Sequence, residues 1–194
     1  MVLRLTLDVN VWVNHYLAVV RGRPGSAAQS LVRSSLDGHC RLGPIQLVIS
    51  YRMLETLRQV LFRLGAPEAL ADAARDAVAV SAFGGVLAEP PHIVLGGGVQ
   101  PIKDAEDGGV LDLAIAGRSD LLVTNNIGDF VSGPRADVDS EVLRRNPLGN
   151  ADVLLFRHPG LPEGLAIASV FAAKAWLADG APPPAGILQR FLMN

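Results

Sequence analysis

An α/β fold with a mainly parallel sheet is predicted by two features of this chain. Apolar strand candidates alternate with helical patterns, the signature of βαβ units. Four acidic residues, Asp8, Glu55, Asp107 and Asp129, each stand where a strand or loop hands over to a helix. Ligand crevices in parallel sheets lie at the carboxyl ends of the strands, so acids far apart in sequence converge there. Carboxylates brought together repel unless a cation or protons neutralise them, and a divalent-metal site is therefore the first reading.

The elements follow in order. Leu3 to Leu7 reads as the first strand, and a helix runs from Val9 to Val20 until Gly22-Arg-Pro-Gly25 breaks it. A second helix spans Ser26 to Leu36 and ends at Gly38, and Gln46 to Ile49 forms the second strand. Ser50 caps the next helix, in which Met53, Leu54, Leu57, Val60, Leu61 and Leu64 recur at helical spacing before Gly65. The Ala-rich stretch 67–83 is helical, Ile93 to Leu95 is a third strand, and Gly96-Gly-Gly98 is a turn, since it lacks the Lys and Ser or Thr of a phosphate-binding loop. A helix opens near Asp104 to Asp107 and closes at Gly117. Leu121 to Thr124 is the fourth strand and Asp152 to Phe156 the fifth, with a polar connection from Val131 to Asn150. Gly164 to Leu177 reads as a last helix, and Pro182-Pro-Pro184 is a stiff spacer to the apolar tail Ile187 to Met193.

Composition narrows the classes without choosing one. The 194 residues are 49% hydrophobic and 19% charged, which suits one soluble domain with a substantial core. A net charge of −2 and a pI near 6.1 provide no bulk basic field for nucleic acid, so binding of that kind needs a local patch or a metal. Cys40 is the only cysteine, which excludes an intramolecular disulfide and a thiolate cluster and fits a reducing, cytoplasmic setting. Neither an export signal nor a membrane span is indicated, because Arg, Asp or Gly breaks every apolar run before the roughly 18 to 20 residues a span needs. Mean hydropathy is nevertheless +0.31, which assigns the apolar content to a core or a subunit interface.

Each acid has a plainer explanation. Asp8, with Asn10 two positions on, serves either the crevice or the N-cap of its helix. Glu55 lies beside the apolar stripe and either points into the crevice or is a solvated residue favoured by the helix dipole. Asp107 forms a capping pair with Asp104, and Asp129 follows the turn-rich Asn125-Asn126-Ile-Gly128. Their joint delivery to one edge of the sheet favours the metal site.

The stretches that carry these acids resemble the PIN-domain nucleases. They are Leu5-Thr-Leu-Asp-Val-Asn-Val-Trp-Val13, Leu47-Val-Ile-Ser-Tyr-Arg-Met-Leu-Glu-Thr-Leu-Arg-Gln-Val-Leu61, and Asp104-Ala-Glu-Asp-Gly-Gly-Val-Leu-Asp-Leu-Ala-Ile-Ala116 running into Ser119-Asp-Leu-Leu-Val-Thr-Asn-Asn-Ile-Gly-Asp-Phe130. The likeness covers residues 2 to 130. It implies a three-layer α/β/α fold with a central, mainly parallel, five-stranded sheet, and a site whose acids bind Mg²⁺ or Mn²⁺ and hydrolyse RNA phosphodiester bonds. Many relatives are toxins of bacterial toxin-antitoxin pairs, which implies a homodimer and an antitoxin partner, with no membrane involved. On this reading 1–160 is the nuclease domain, and 161–194 is a helical extension packed on it or at a subunit interface. Three features depart from the family pattern: Val9 replaces the usual Thr or Ser, Thr124-Asn125-Asn126 replaces a Thr-Gly-Asp turn, and the C-terminal part is longer.

Hard oxygen ligands suit Mg²⁺ or Mn²⁺. Asp8 and Asp107 are assigned as direct ligands, Asp129 as a second-site or outer ligand, Glu55 as the group orienting the attacking water, and Asn10, Thr124 and Asn126 as positioning residues. His15, His39, His92 and His158 lack ligand spacing, and Cys40 reads as a core side chain. Two other classes are consistent with an Asp after the first strand. A doubly wound phosphotransferase or phosphatase would normally add a Lys or an Asp-x-Asp, and a PIN-like RNA-binding or scaffolding domain would be expected to lose acids.

Overall fold

A computed structural model describes residues 1–84, 105–131 and 139–192 of the chain. The strand expected at Ile93 to Leu95 and the turn at Gly96 to Gly98 lie outside the described residues, as do His92, Lys103 and Asp104. In chain order the elements are β1 (Leu3–Leu7), α1 (Val9–Val20), α2 (Ala27–Leu36), β2 (His39–Cys40), β3 (Gly43–Leu47), α3 (Tyr51–Arg63), α4 (Glu68–Phe83), α5 (Ala105–Ala116), β4 (Leu121–Thr124), β5 (Asp139–Arg145), β6 (Ala151–His158), β7 (Leu161–Ser169) and α6 (Val170–Lys174). The strands form one mixed sheet in the order β2-β3-β1-β4-β7-β6-β5. Its centre, β3-β1-β4-β7, is parallel; β2 pairs antiparallel with β3 at one edge, and β6 pairs antiparallel with both β7 and β5 at the other.

Alternation along the strands divides the core between the two faces of the sheet. Leu121 and Val123 of β4 join Leu3, Leu5 and Leu7 under α1, α2, α3, α4 and α6, whereas Leu122 joins Leu154 and Ile167 under α5. Helices on both faces give the three-layer α/β/α arrangement expected of the sequence. It also places the ends of β1 and β4 side by side, because Leu5, Thr6 and Leu7 stand in register with Leu121, Leu122 and Val123.

Two expectations are corrected. The segment 164–177 is not one helix: β7 runs to Ser169, and only then do α6 and a π-helical turn at Ala175–Asp179 follow. Leu165 to Ala168 are all buried because β7 is held between β4 and β6 with helices on both sides, so this strand shows no alternation. Gly164 lies at φ +74°, where an added Cβ would come within 2.8 Å of Leu155 Cδ1; it marks a bulge rather than a helix start. The part of the chain beyond residue 160 thus begins as a strand of the same sheet. The polar connection expected from 131 to 150 contains β5, a charged edge strand, so the sheet exceeds five strands. Of the two placements open to the apolar tail, the structure shows the one on its own chain, with Ile187, Leu188 and Phe191 buried in the larger core and Arg190 paired to Asp120 and Glu163.

Candidate active site

Asp8 ends β1 and is the N-cap residue of α1, with extended backbone angles of −60° and 151°. It is 5% exposed. Thr124, the last residue of the neighbouring β4, donates its hydroxyl to Asp8 Oδ2 at 2.7 Å, and Asn10 Nδ2 donates to the same oxygen at 2.5 Å. Asn10 Nδ2 also lies 3.1 Å from Thr124 Oγ1, which accepts the Asn126 amide at 2.9 Å. The Asn125 amide donates to Asn10 Oδ1 at 3.0 Å. Asn10, Thr124 and the turn after β4 therefore form one hydrogen-bonded frame that fixes the Asp8 carboxylate.

Burial raises the Asp8 pKa above the ordinary carboxylate value, because desolvation penalises the charged form. The Thr124 hydroxyl, the Val9 and Asn10 amides at the head of α1 and the Asn10 side chain oppose that shift. The two amides face the carboxylate without the geometry of a full cap hydrogen bond.

A cleft of about 300 Å³ opens beside this frame, over the carboxyl ends of the strands. Asp8, Asn10 and Asn14 line one side, Asp107, Gly109 and Val110 of α5 another, and Ser50, Arg52 and Thr56 of α3 a third, with Asn126 at the turn. Asp107 stands in the first turn of α5, 7% exposed, where a carboxylate is favoured by the helix dipole. The structure thus brings Asp8, Asn10, Asp107 and Asn126 to one cleft, with Thr124 beneath them.

The other two acids are placed elsewhere. Glu55 is exposed on the outer flank of α3, accepts a hydrogen bond from Gln59 at 3.0 Å and lies 3.8 Å from Arg58; it does not line the cleft. Arg52 and Thr56 hold the cleft-facing positions of that helix and were not singled out in the sequence. Asp129 is exposed on the 3₁₀ turn Ile127–Phe130, its amide bonded to the Asn126 carbonyl at 3.0 Å, and does not line the cleft either. Among the described residues no group of three or more His, Cys, Asp or Glu comes together. His15 packs edge-on against Tyr16, His158 accepts the Gly160 amide, and Cys40 is a buried free thiol.

The donor set fits Mg²⁺ or Mn²⁺ held by two carboxylates. Mg²⁺ retains several waters and needs only one or two protein carboxylates beside substrate phosphate. Neutral Asn, Ser and Thr side chains on the same walls supply further oxygens, and among the described residues no imidazole or thiolate lines the cleft.

Asp8 and Asp107 thus line one cleft at the carboxyl edge of the parallel strands. The PIN domain family model matches residues 4–128, and the chain belongs to the PIN-domain family. PIN domains are in general nucleases that use divalent metal ions. No curated protein and no solved structure matches the chain.

Proposed function

We propose that this protein is a metal-dependent ribonuclease that hydrolyses RNA phosphodiester bonds in the cleft between α3 and α5. The observation that carries this reading is the Asp8 carboxylate, buried at the end of β1, fixed by Thr124 and Asn10, and facing the same cleft as Asp107. Burying an acid so deeply raises its free energy unless a cation neutralises it, and a catalytic role accounts for that cost.

Asp8 and Asp107 would hold Mg²⁺ or Mn²⁺, and Asp129, exposed outside the cleft, is given no part in holding the ion. Bound there, the ion supplies a more acidic water and neutralises charge developing on the phosphate. Asn10 and Thr124 hold the Asp8 carboxylate in place, and Asn126 offers its amide group to the ligand shell or to phosphate. Glu55, turned toward Arg58, is not proposed to orient the attacking water; Thr56 has the cleft-facing position. The test is cleavage of single-stranded RNA in Mn²⁺ by wild type, Asp8→Asn and Asp107→Asn. Activity that EDTA abolishes and both variants lack is expected, and activity that survives in the variants overturns the assignment.

A non-catalytic RNA-binding role is the second reading, favoured by one observation: α3 presents Arg52 and Thr56 to the cleft and turns its acid away. RNA binding without cleavage in either Mg²⁺ or Mn²⁺ would establish it. A role as the toxin of a toxin-antitoxin pair rests on the family resemblance, and inspection of the neighbouring gene tests it. Homodimerisation is supported by exposed apolar side chains such as Phe62, Leu64, Val80 and Phe83. Light scattering on the purified chain at micromolar concentration tests it.

A further inference from the structure

We propose that Arg52 is the phosphate-binding residue of the cleft, and that the strand it holds is single-stranded RNA. The proposal rests on the ribonuclease reading for the choice of substrate and on α3 and α5 for the contact.

Arg52 is the second residue of α3 and lines the cleft together with Asp8 and Asp107. It makes no ion pair with any described residue. Arg58, almost two turns further on and on the outer flank, is by contrast engaged by Glu55, Glu68 and Asp72. A cation in the first turn of a helix opposes the helix dipole. No acidic residue in that turn compensates it. Stability of α3 therefore gives no account of an arginine at this position, whereas binding an anion in the cleft does. A guanidinium is also the side chain whose planar fork matches phosphate oxygens.

The opposite wall is shaped for such a ligand. α5 carries Gly108 and Gly109 in a helix interior, each costing roughly 0.5–1 kcal/mol relative to alanine. A Cβ built on Gly109 would stand 3.7 Å from Arg52 Nη1, so the wall facing the guanidinium is bare backbone. A cleft of about 300 Å³ is near the lower end for ligand sites and suits one strand rather than a duplex. The acids and Arg52 then divide the work: Asp8 and Asp107 attract the metal, and Arg52 supplies the one positive charge among the described residues that line the cleft.

The test measures binding of a labelled uridine dodecamer by fluorescence anisotropy across a salt series in Ca²⁺, with RNA integrity checked on a gel. Arg52→Ala should weaken binding about tenfold and lower the slope of log K against log salt by about 0.7, the value for one single-strand phosphate. Arg52→Lys should restore most of the slope, and the same sequence in a duplex should bind more weakly. The Mn²⁺-induced rise in melting temperature should be unchanged in Arg52→Ala, which shows that the fold and the acids are intact. Unchanged affinity, weaker affinity with an unchanged slope, a duplex that binds as well, or no binding by wild type would each overturn the proposal. Failure of the ribonuclease reading looks different: wild type binds the dodecamer through Arg52 and leaves it uncut in Mn²⁺.

Discussion

Asp8 makes its own contribution to the pH dependence of the metal-free protein. Its pKa is raised in the folded chain by burial, so in the window above the ordinary carboxylate value the native state binds more protons than the unfolded chain. The Asp8 contribution to stability then falls as pH rises through that window, the opposite of the behaviour of a salt-bridged acid such as Asp72. In EDTA the Asp8 contribution should lower the wild-type melting temperature as pH rises above the ordinary carboxylate range, and Asp8→Asn should be higher once Asp8 is ionised, with that dependence flattened. Thermal scans in EDTA at several pH values check this, and an Asp8→Asn variant no more stable than wild type contradicts it. Asp8 and its frame were legible because strand alternation ends at Leu7 and leaves the next residue at the carboxyl edge. Glu55 was not, for a reason of helical phase. The stripe Met53, Leu57 and Leu61 shows which side of α3 is buried but not which flank faces the crevice, and neighbouring residues differ by about 100° around the axis.

At the scale of elements, α5 is the test piece. Gly117 sits where an added Cβ would lie 2.2 Å from Val48 Cγ1 and 3.0 Å from the Leu113 carbonyl oxygen. Gly117→Ala should therefore cost about 1–3 kcal/mol through overpacking. Gly109→Ala meets only ordinary contact with Arg52 and should stabilise the helix by roughly 0.5–1 kcal/mol. If the bare wall serves substrate, the same change should weaken RNA binding. Urea unfolding of both variants checks the signs; a destabilised Gly109→Ala or a neutral Gly117→Ala contradicts them. β1 and α3 were readable because each carries a clear period or a cap, such as the Ser50 hydroxyl accepting the Met53 amide at 3.1 Å, and β4 was readable as a short apolar run between polar turn residues. β7 was misread because burial on both faces erased its period and its alanines favour helix. β5 was missed because an exposed edge strand of Asp, Ser, Glu and Arg looks like a loop.

Across the whole molecule, the tail and the metal make separable contributions. Ile187, Leu188 and Phe191 are 3%, 9% and 5% exposed, and burying each apolar side chain contributes about 1.5–3 kcal/mol. A chain ending at Asp179 should lose several kcal/mol in urea unfolding. Equal stability with and without the tail would contradict its docking. High apolar content had suggested a surface for a partner, but sequence cannot tell a tail that docks on its own chain from one that docks on another. A cation that binds only the native state adds RT ln(1 + [L]/Kd), about 2.7 kcal/mol at a hundredfold excess over Kd, so Mn²⁺ should raise the melting temperature of wild type and not of Asp8→Asn. The central claim is that the Asp8–Asp107 cleft performs metal-dependent RNA hydrolysis. Its most direct measurement is cleavage of a single-stranded oligoribonucleotide by wild type and Asp8→Asn, each with Mn²⁺ and with EDTA, at matched circular dichroism. Cleavage only by wild type and only with Mn²⁺ is the expected result; cleavage by Asp8→Asn at the wild-type rate, or none by wild type, would contradict it.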